Sequence, residues 1–252
     1  MSKVASLSLT KPRVVGFLWQ HLLLLLSLYV MTLGVALCVR SNMGSSVISS
    51  LPMSMSLAGA DGIVPAFSIG SYTNMMNMLL VVLQILVLRR RFEPLQLFQL
   101  LIGFVFGALI DLNMWLTSAF DYAPLANQIT AQFMGCTVMG FGIAMEVRCG
   151  SVTMPGEGIT VALSRVSGMP FPKMKIIVDT SLVVLAVASC YIFWGAWQWN
   201  IIGPGTLFAM IYVGALVKFC GRRMEWFDRL LNYRPGFRRY IFGLARYMFR
   251  RK

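Results

Sequence analysis

Charge is scarce in this chain, and negative charge scarcer still. Of 252 residues only 12% are charged, and 9 Asp and Glu face 22 Lys and Arg for a formal net charge of +13. A soluble globular domain carries about twice that charged fraction. There is one His, and the five cysteines (Cys38, Cys136, Cys149, Cys190, Cys220) contain no CxxC pair and no His partner at metal spacing. A zinc site and a disulfide-stapled secreted scaffold are thereby excluded, and the cysteines read as small apolar packing residues. No GxSxG, P-loop or HExxH occurs. No catalytic or metal-binding residue is therefore assigned, no cofactor is expected, and the chain reads as a non-enzyme.

What fills the space is hydrophobic: 58% of residues, with mean hydropathy +0.72. A nucleic-acid-binding domain shares the basic excess but not this apolarity, so nucleic acid is not an expected partner. The reading is a polytopic membrane protein whose first partner is the bilayer. A span needs about 20 mostly apolar residues. Six segments qualify, roughly Val15–Val39, Ile69–Leu88, Leu95–Ser118, Ala126–Val147, Ile176–Phe193 and Ile201–Phe219. The first is too long for a cleavable signal and reads as a permanent helix. With the N-terminus in the cytoplasm, Arg40 alone of the 22 Lys and Arg falls outside, so both termini are expected inside. Trp194, Trp197 and Trp199 then form an outer aromatic belt.

Two stretches, Ser45–Ala58 and Met154–Val166, are too short to span but too apolar for ordinary loops. Each follows a Gly- and Ser-containing approach and carries an internal Pro or Gly. They read as re-entrant half-helices, with an amphipathic surface helix as the alternative. A repeat runs through the same features. Gly34-Val35-Ala36-Leu37-Cys38-Val39-Arg40 matches Gly142-Ile143-Ala144-Met145-Glu146-Val147-Arg148, Leu80–Leu83 matches Leu182–Leu185, and Gly107–Asp111 matches Gly214–Lys218. Three spans per half is an odd number, so the halves enter the membrane from opposite sides. The expected fold is all-α: six transmembrane helices plus two re-entrant half-helices in two inverted-topology repeats. A cytoplasmic N-terminus (1–14) precedes a first repeat over 15–125, re-entrant near 45–58. A second repeat over 126–219 is re-entrant near 154–166, and a basic tail covers 220–252. In the tail Phe237, Tyr240, Ile241, Leu244, Tyr247 and Met248 recur at helical spacing between arginines, which suits an anionic lipid surface.

The pattern V-R-x-N-M-G-S-S-V-I-S-S-L-P from Val39, F-x-I-G-S-Y-T at Phe67–Thr73 and I-G-P-G-T at Ile202–Thr206 resemble the YczE/YyaS/YitT family. The likeness runs from about Gly34 to Lys218. It implies a polytopic protein of the bacterial inner membrane and no particular substrate. Val47-Ile48 stands where many members carry an early Pro.

Ionisable residues at membrane depth are functional candidates because burying them is costly. Asp111, Asp179 and Glu157 are such residues, and Asn77 takes the repeat position of Asp179. For Asp179 the competing reading is a pair with Lys175. Arg40 and Arg148 share a repeat position just before each break, and snorkelling at the headgroups is their alternative. Ser45, Ser46 and Thr153 offer hydroxyls beside the breaks. With half-helix N-termini nearby, these nine residues are the expected contacts for a small polar or anionic solute, while Glu146, ending the fourth span two residues before Arg148, is ionisable at the same depth. The expected function is transport by alternating access. The alternatives are a passive channel, or a non-transporting protein that assists a partner complex or a stress response.

Overall fold

The computed structural model describes residues 11–120, 122–232, 237, 239–241 and 244–246. Among them the chain is all-helical without strands. The helices are α1 (Lys11–Arg40), α2 (Val47–Ala60), α3 (Ile69–Leu88), α4 (Phe98–Leu116), α5 (Leu125–Cys149), α6 (Pro155–Ser167), α7 (Phe171–Trp194), α8 (Pro204–Arg223) and α9 (Glu225–Leu231). The six expected spans fall on α1, α3, α4, α5, α7 and α8, and both short segments are helices, α2 and α6. Two of the helix starts that differ from the sequence reading do so at a proline. Pro204 at the first helical position starts α8 later, which leaves Ile201 and Ile202 in the connector, and Pro172 in the first turn lets α7 begin at Phe171.

Five helices (α1, α3, α4, α7, α8) are long and apolar enough to cross a bilayer. In α5, 25 residues long, Asn127, Gln128, Gln132, Glu146 and Arg148 interrupt the apolar run. Outward-facing Leu18 and Leu22 on α1, Leu79 and Leu86 on α3, Ile176 and Ile192 on α7, and Leu207 and Ile211 on α8 are exposed. So much exposed apolar surface suits lipid rather than water.

At the centre α1 and α5 run antiparallel in close contact. A Cβ on Gly34 would lie 2.3 Å from the Met139 backbone nitrogen, and one on Gly142 2.5 Å from that of Met31. Glycine here lets two backbones touch, which is how helices associate in a medium that gives apolar side chains no drive to leave it. Around this pair α4 packs on α1 and α8 on α5. A second group forms from α2, α3, α6 and α7, in which α2 packs on α7 and α6 on α3. The segments 15–125 and 126–219 are thus interlocked, each lending its short helix to the other. The connector after α1 is tied to the one before α8: Ser45 donates its backbone N–H to Ile201 O at 3.0 Å, and Gly205 to Met43 O at 2.8 Å. At the same end Trp194 Nε1 donates to Asp61 Oδ2 at 2.8 Å and Trp197 Nε1 to Ile202 O at 2.9 Å.

Gly34→Ala and Gly142→Ala should each cost about 1–3 kcal/mol through overpacking. Gly214→Ala, where an added Cβ meets nothing within 4 Å, should be neutral or stabilising by up to about 1 kcal/mol from helix propensity. Denaturant unfolding in detergent micelles reads all three, and equal effects would refute the close-contact account.

Candidate functional site

The two short helices begin where two long ones end. Gly150, in the left-handed conformation, closes α5, and Met154 and Pro155 open α6. Asn42, also at positive φ, lies in the corresponding break after α1. The starts of the short helices meet inside the protein. Ile48, second residue of α2, lies against Gly156, second residue of α6, where a Cβ would stand 3.0 Å from Ile48 Cδ1. Apolar residues of α2, α3, α6 and α7 seal this junction, among them Met76, Leu80, Ile159 and Val178.

Buried amides surround the start of α6. Gln99 Nε2 donates to Gln84 Oε1 at 2.7 Å, and Gln84 Nε2 donates to Pro155 O at 3.1 Å. Gln99 Oε1 and Asn77 Nδ2 are buried with no hydrogen-bond partner. Gly103 makes room beside Asn77 and Pro155, and Gly158 beside Gln84 and Gln99. Asn77 is therefore at this junction. Asp179, its repeat counterpart, is instead a half-exposed partner of Lys175 at 2.7 Å.

Arg40 and Arg148 do not meet at the junction. Each turns onto the C-terminal carbonyls of a long helix. Arg40 Nη2 donates to Met114 O in the last turns of α4 at 2.7 Å. Arg148 donates to Gly221 O at the end of α8 and pairs with Asp228. A cation at a helix C-terminus satisfies orphan carbonyls and the negative dipole end. Asp111 does the converse for α3: it accepts from Ser68 Oγ at 2.6 Å and from the Gly70 N–H at 2.8 Å. Ser45 Oγ donates to Ile201 O at 3.2 Å, and Ser46 Oγ shares a 2.6 Å hydrogen bond with Ser49 Oγ, so both serve the break itself. In the α4–α5 connection, burial pushes the Tyr122 hydroxyl above the ordinary phenol range, opposed by the nearby Arg40 guanidinium.

Thr153 and Glu157 line a cleft at the opposite end together with Glu146, Val147, Gly150, Val152 and Ala245. Described parts of the tail dock over it. Gln20 receives the Tyr240 backbone on both sides, donating to its carbonyl at 2.9 Å and accepting its N–H at 2.8 Å, and it also donates to Cys149 O at 2.8 Å. Arg239 donates to Arg148 O at 2.9 Å and pairs with Asp228 at 2.8 Å, and burial holds its guanidinium below its ordinary range. Leu244 is buried against Leu88, Val161 and Ala162. Tyr247 and Met248 of the expected surface helix lie outside the described residues.

The sequence reading did not select Gln20, Gln84 or Gln99, and it marked Glu146 as an ionisable group at depth without placing it among the solute contacts. Gln84 had a signal, a lone amide within the apolar run Leu79–Leu88, but a rule that looks for ionisable groups passes over amides. Among the described residues no three His, Cys, Asp or Glu gather to hold a metal ion.

Residues 18–222 match the model of a family described as "Family of unknown function (DUF6198)". No curated protein and no solved structure matches the chain.

Cys149 is fully buried beneath Gln20 and the docked tail. It should resist a soluble maleimide in the native protein. Gln20→Ala or Leu244→Asp should raise its labelling rate about tenfold or more, read by mass spectrometry, and unchanged protection would refute tail docking.

Proposed function

We propose that this chain, which belongs to the DUF6198 family, is a membrane transporter that passes a small polar solute between two inverted halves by alternating access. The observation that carries the reading is the contact of Ile48 with Gly156, start to start, inside the protein. An isolated helix N-terminus offers free N–H groups and a positive dipole end. Two of them facing one another at depth, beside the unpartnered Asn77 Nδ2 and Gln99 Oε1, suit a solute that both accepts and donates hydrogen bonds. An anionic solute draws its support from these N-termini, because both guanidinium groups are committed to carbonyls.

Inversion of the halves is supported by paired contacts. At an offset of 108 Gly34 corresponds to Gly142, Met31 to Met139 and Ile48 to Gly156, and the contacts Gly34–Met139 and Gly142–Met31 are each other's counterparts. At the third repeat match Met114 corresponds to Gly221, so Arg40 and Arg148 hold equivalent carbonyls. The packing of α2 on α7 is matched by α6 on α3. On this reading six helices span, α5 included because Gln132 and Glu146 within it are buried in the protein. Kinship with the YczE/YyaS/YitT family, a bacterial inner-membrane location, cytoplasmic termini, lipid contact by the basic tail and the absence of catalysis belong to the same proposal.

Two experiments test it. In a Cys220→Ser background, Ile63→Cys should label only from outside the cell and Ser167→Cys only from inside, since both positions are exposed. Labelling of both from one side refutes inversion. In proteoliposomes, uptake from a panel of small polar solutes should saturate, and Asn77→Ala should lower it at least about tenfold with insertion intact. Unaltered kinetics remove Asn77 from the path, and flux that never saturates refutes alternating access.

A further inference from the structure

We propose that the cleft between the end of α5 and the start of α6 binds a small monovalent cation, of about sodium's size, between the Glu146 and Glu157 carboxylates. Both residues line the cleft. Glu146 is 4% exposed, and among the described residues neither carboxylate has a hydrogen-bond donor or an ion pair. Among the described residues Lys175 is the cation that acts on both carboxylates, and its ammonium is held in an ion pair with Asp179 rather than with either of them. Arg148 and Arg239 both pair with Asp228.

A buried carboxylate without a partner is expensive, so a site of this kind takes up a proton or recruits a countercharge. Glu157 lies in the first turn of α6, whose dipole compensates part of its charge. Glu146 lies in the last turn of α5, at the negative end of a helix, where the dipole opposes its charge and a cation is favoured. A third, uncharged observation points the same way: Thr153 is 5% exposed, lines the cleft, and its hydroxyl has no hydrogen-bond partner among the described residues. Two carboxylates and a hydroxyl form an all-oxygen lining, which suits hard cations.

Size narrows the choice. The cleft has room for about one water-sized sphere. Magnesium gives up its waters reluctantly and calcium seeks six to eight oxygens, so a largely dehydrated monovalent ion fits better than either. Ala245 of the docked tail borders the cleft, so the ion lies beneath a protein cover. Binding rests on the cleft alone; a role as coupling ion would rest in addition on the transport reading.

The test uses the purified full chain in detergent, with sodium replacing choline at constant ionic strength. Thermal unfolding should shift upward with sodium and saturate, because a ligand bound to the folded state stabilises it by mass action. Glu146→Gln and Glu157→Gln should each weaken the half-saturating sodium concentration about tenfold or more, and Thr153→Val about threefold. Glu146→Gln removes a buried charge at the negative end of a helix, so without sodium it should unfold at or above the wild-type temperature. The proposal is overturned by no saturable sodium effect, by an unchanged half-saturating sodium concentration in either Gln variant, by a larger shift with magnesium or calcium, or by stability that follows pH and ignores sodium. A protein that binds sodium in detergent but moves no solute refutes the transport reading and leaves this site standing. Saturable uptake with no sodium effect on unfolding does the reverse.

Discussion

The rest of the molecule hangs on a contact that has almost no side chains in it. At Gly34 and Gly142 the backbones of α1 and α5 touch. In a bilayer, apolar side chains gain nothing by leaving lipid, so close backbone packing must supply the association. Once that pair is fixed, the flanks follow: α4 lies on α1, α8 lies on α5, and the breaks after Arg40 and Cys149 start the short helices from two ends of one central strut. The short helices then cross over, each packing on the opposite half. A change at the central pair would therefore reach the junction of Ile48 and Gly156 without touching it.

The few charges within the helices are spent on helix ends. Asp111 caps the start of α3, Arg40 the end of α4, and Arg148 the end of α8. The same property that makes an ionisable group costly in a low-dielectric medium makes it worth more against an orphan N–H or carbonyl. A burial rule applied to sequence flags such a group correctly as unusual, but it does not say whether the partner is a solute or a helix terminus. Glu146 stands apart because no such partner meets it.

Much of the architecture was legible before any coordinates. Hydropathy located α1, α3, α4, α5, α7 and α8, and the Gly- and Ser-containing breaks located α2 and α6. Gly34 and Gly142 already stood out as the first residues of the best internal match. The site was less legible, and for a physical reason. Arg40 is 74 residues from Met114, and Arg148 is 73 from Gly221, and sequence periodicity carries no information about contacts across that distance. The amides of Gln84 and Gln99 looked like isolated polar interruptions until folding brought them to Pro155. In the tail, helical spacing suggested a lipid-facing surface, and Leu244 and Ala245 are buried against the bundle, where the end of α3 and the middle of α6 offer Leu244 apolar partners in Leu88, Val161 and Ala162.

On the proposed twofold, one contact has no counterpart. α3 packs along α4, with Gly70 and Asn74 set against Gly107 and Asp111, whereas α7 and α8 make no comparable contact. Gly214, which corresponds to Gly107, faces open space instead. Composition explains why the first contact is the tighter one. Asp111 ties α4 to the start of α3, but its counterpart on α8 is Lys218, and α7 opens with Pro170 and Pro172 and no hydroxyl cap. A lysine placed there repels a helix N-terminus that an aspartate would hold. The two halves therefore differ in how firmly they grip their outer helix. A transporter needs two arrangements of nearly equal free energy, because a ligand shifts an equilibrium only by its differential affinity for the two states. On the proposed transport reading, with α4 locked by Asp111 and α8 held chiefly by α5, α8 is the helix left to make the second arrangement. Arg148, which joins the end of α5 to the end of α8 and to Asp228, would then be a joint of the moving half.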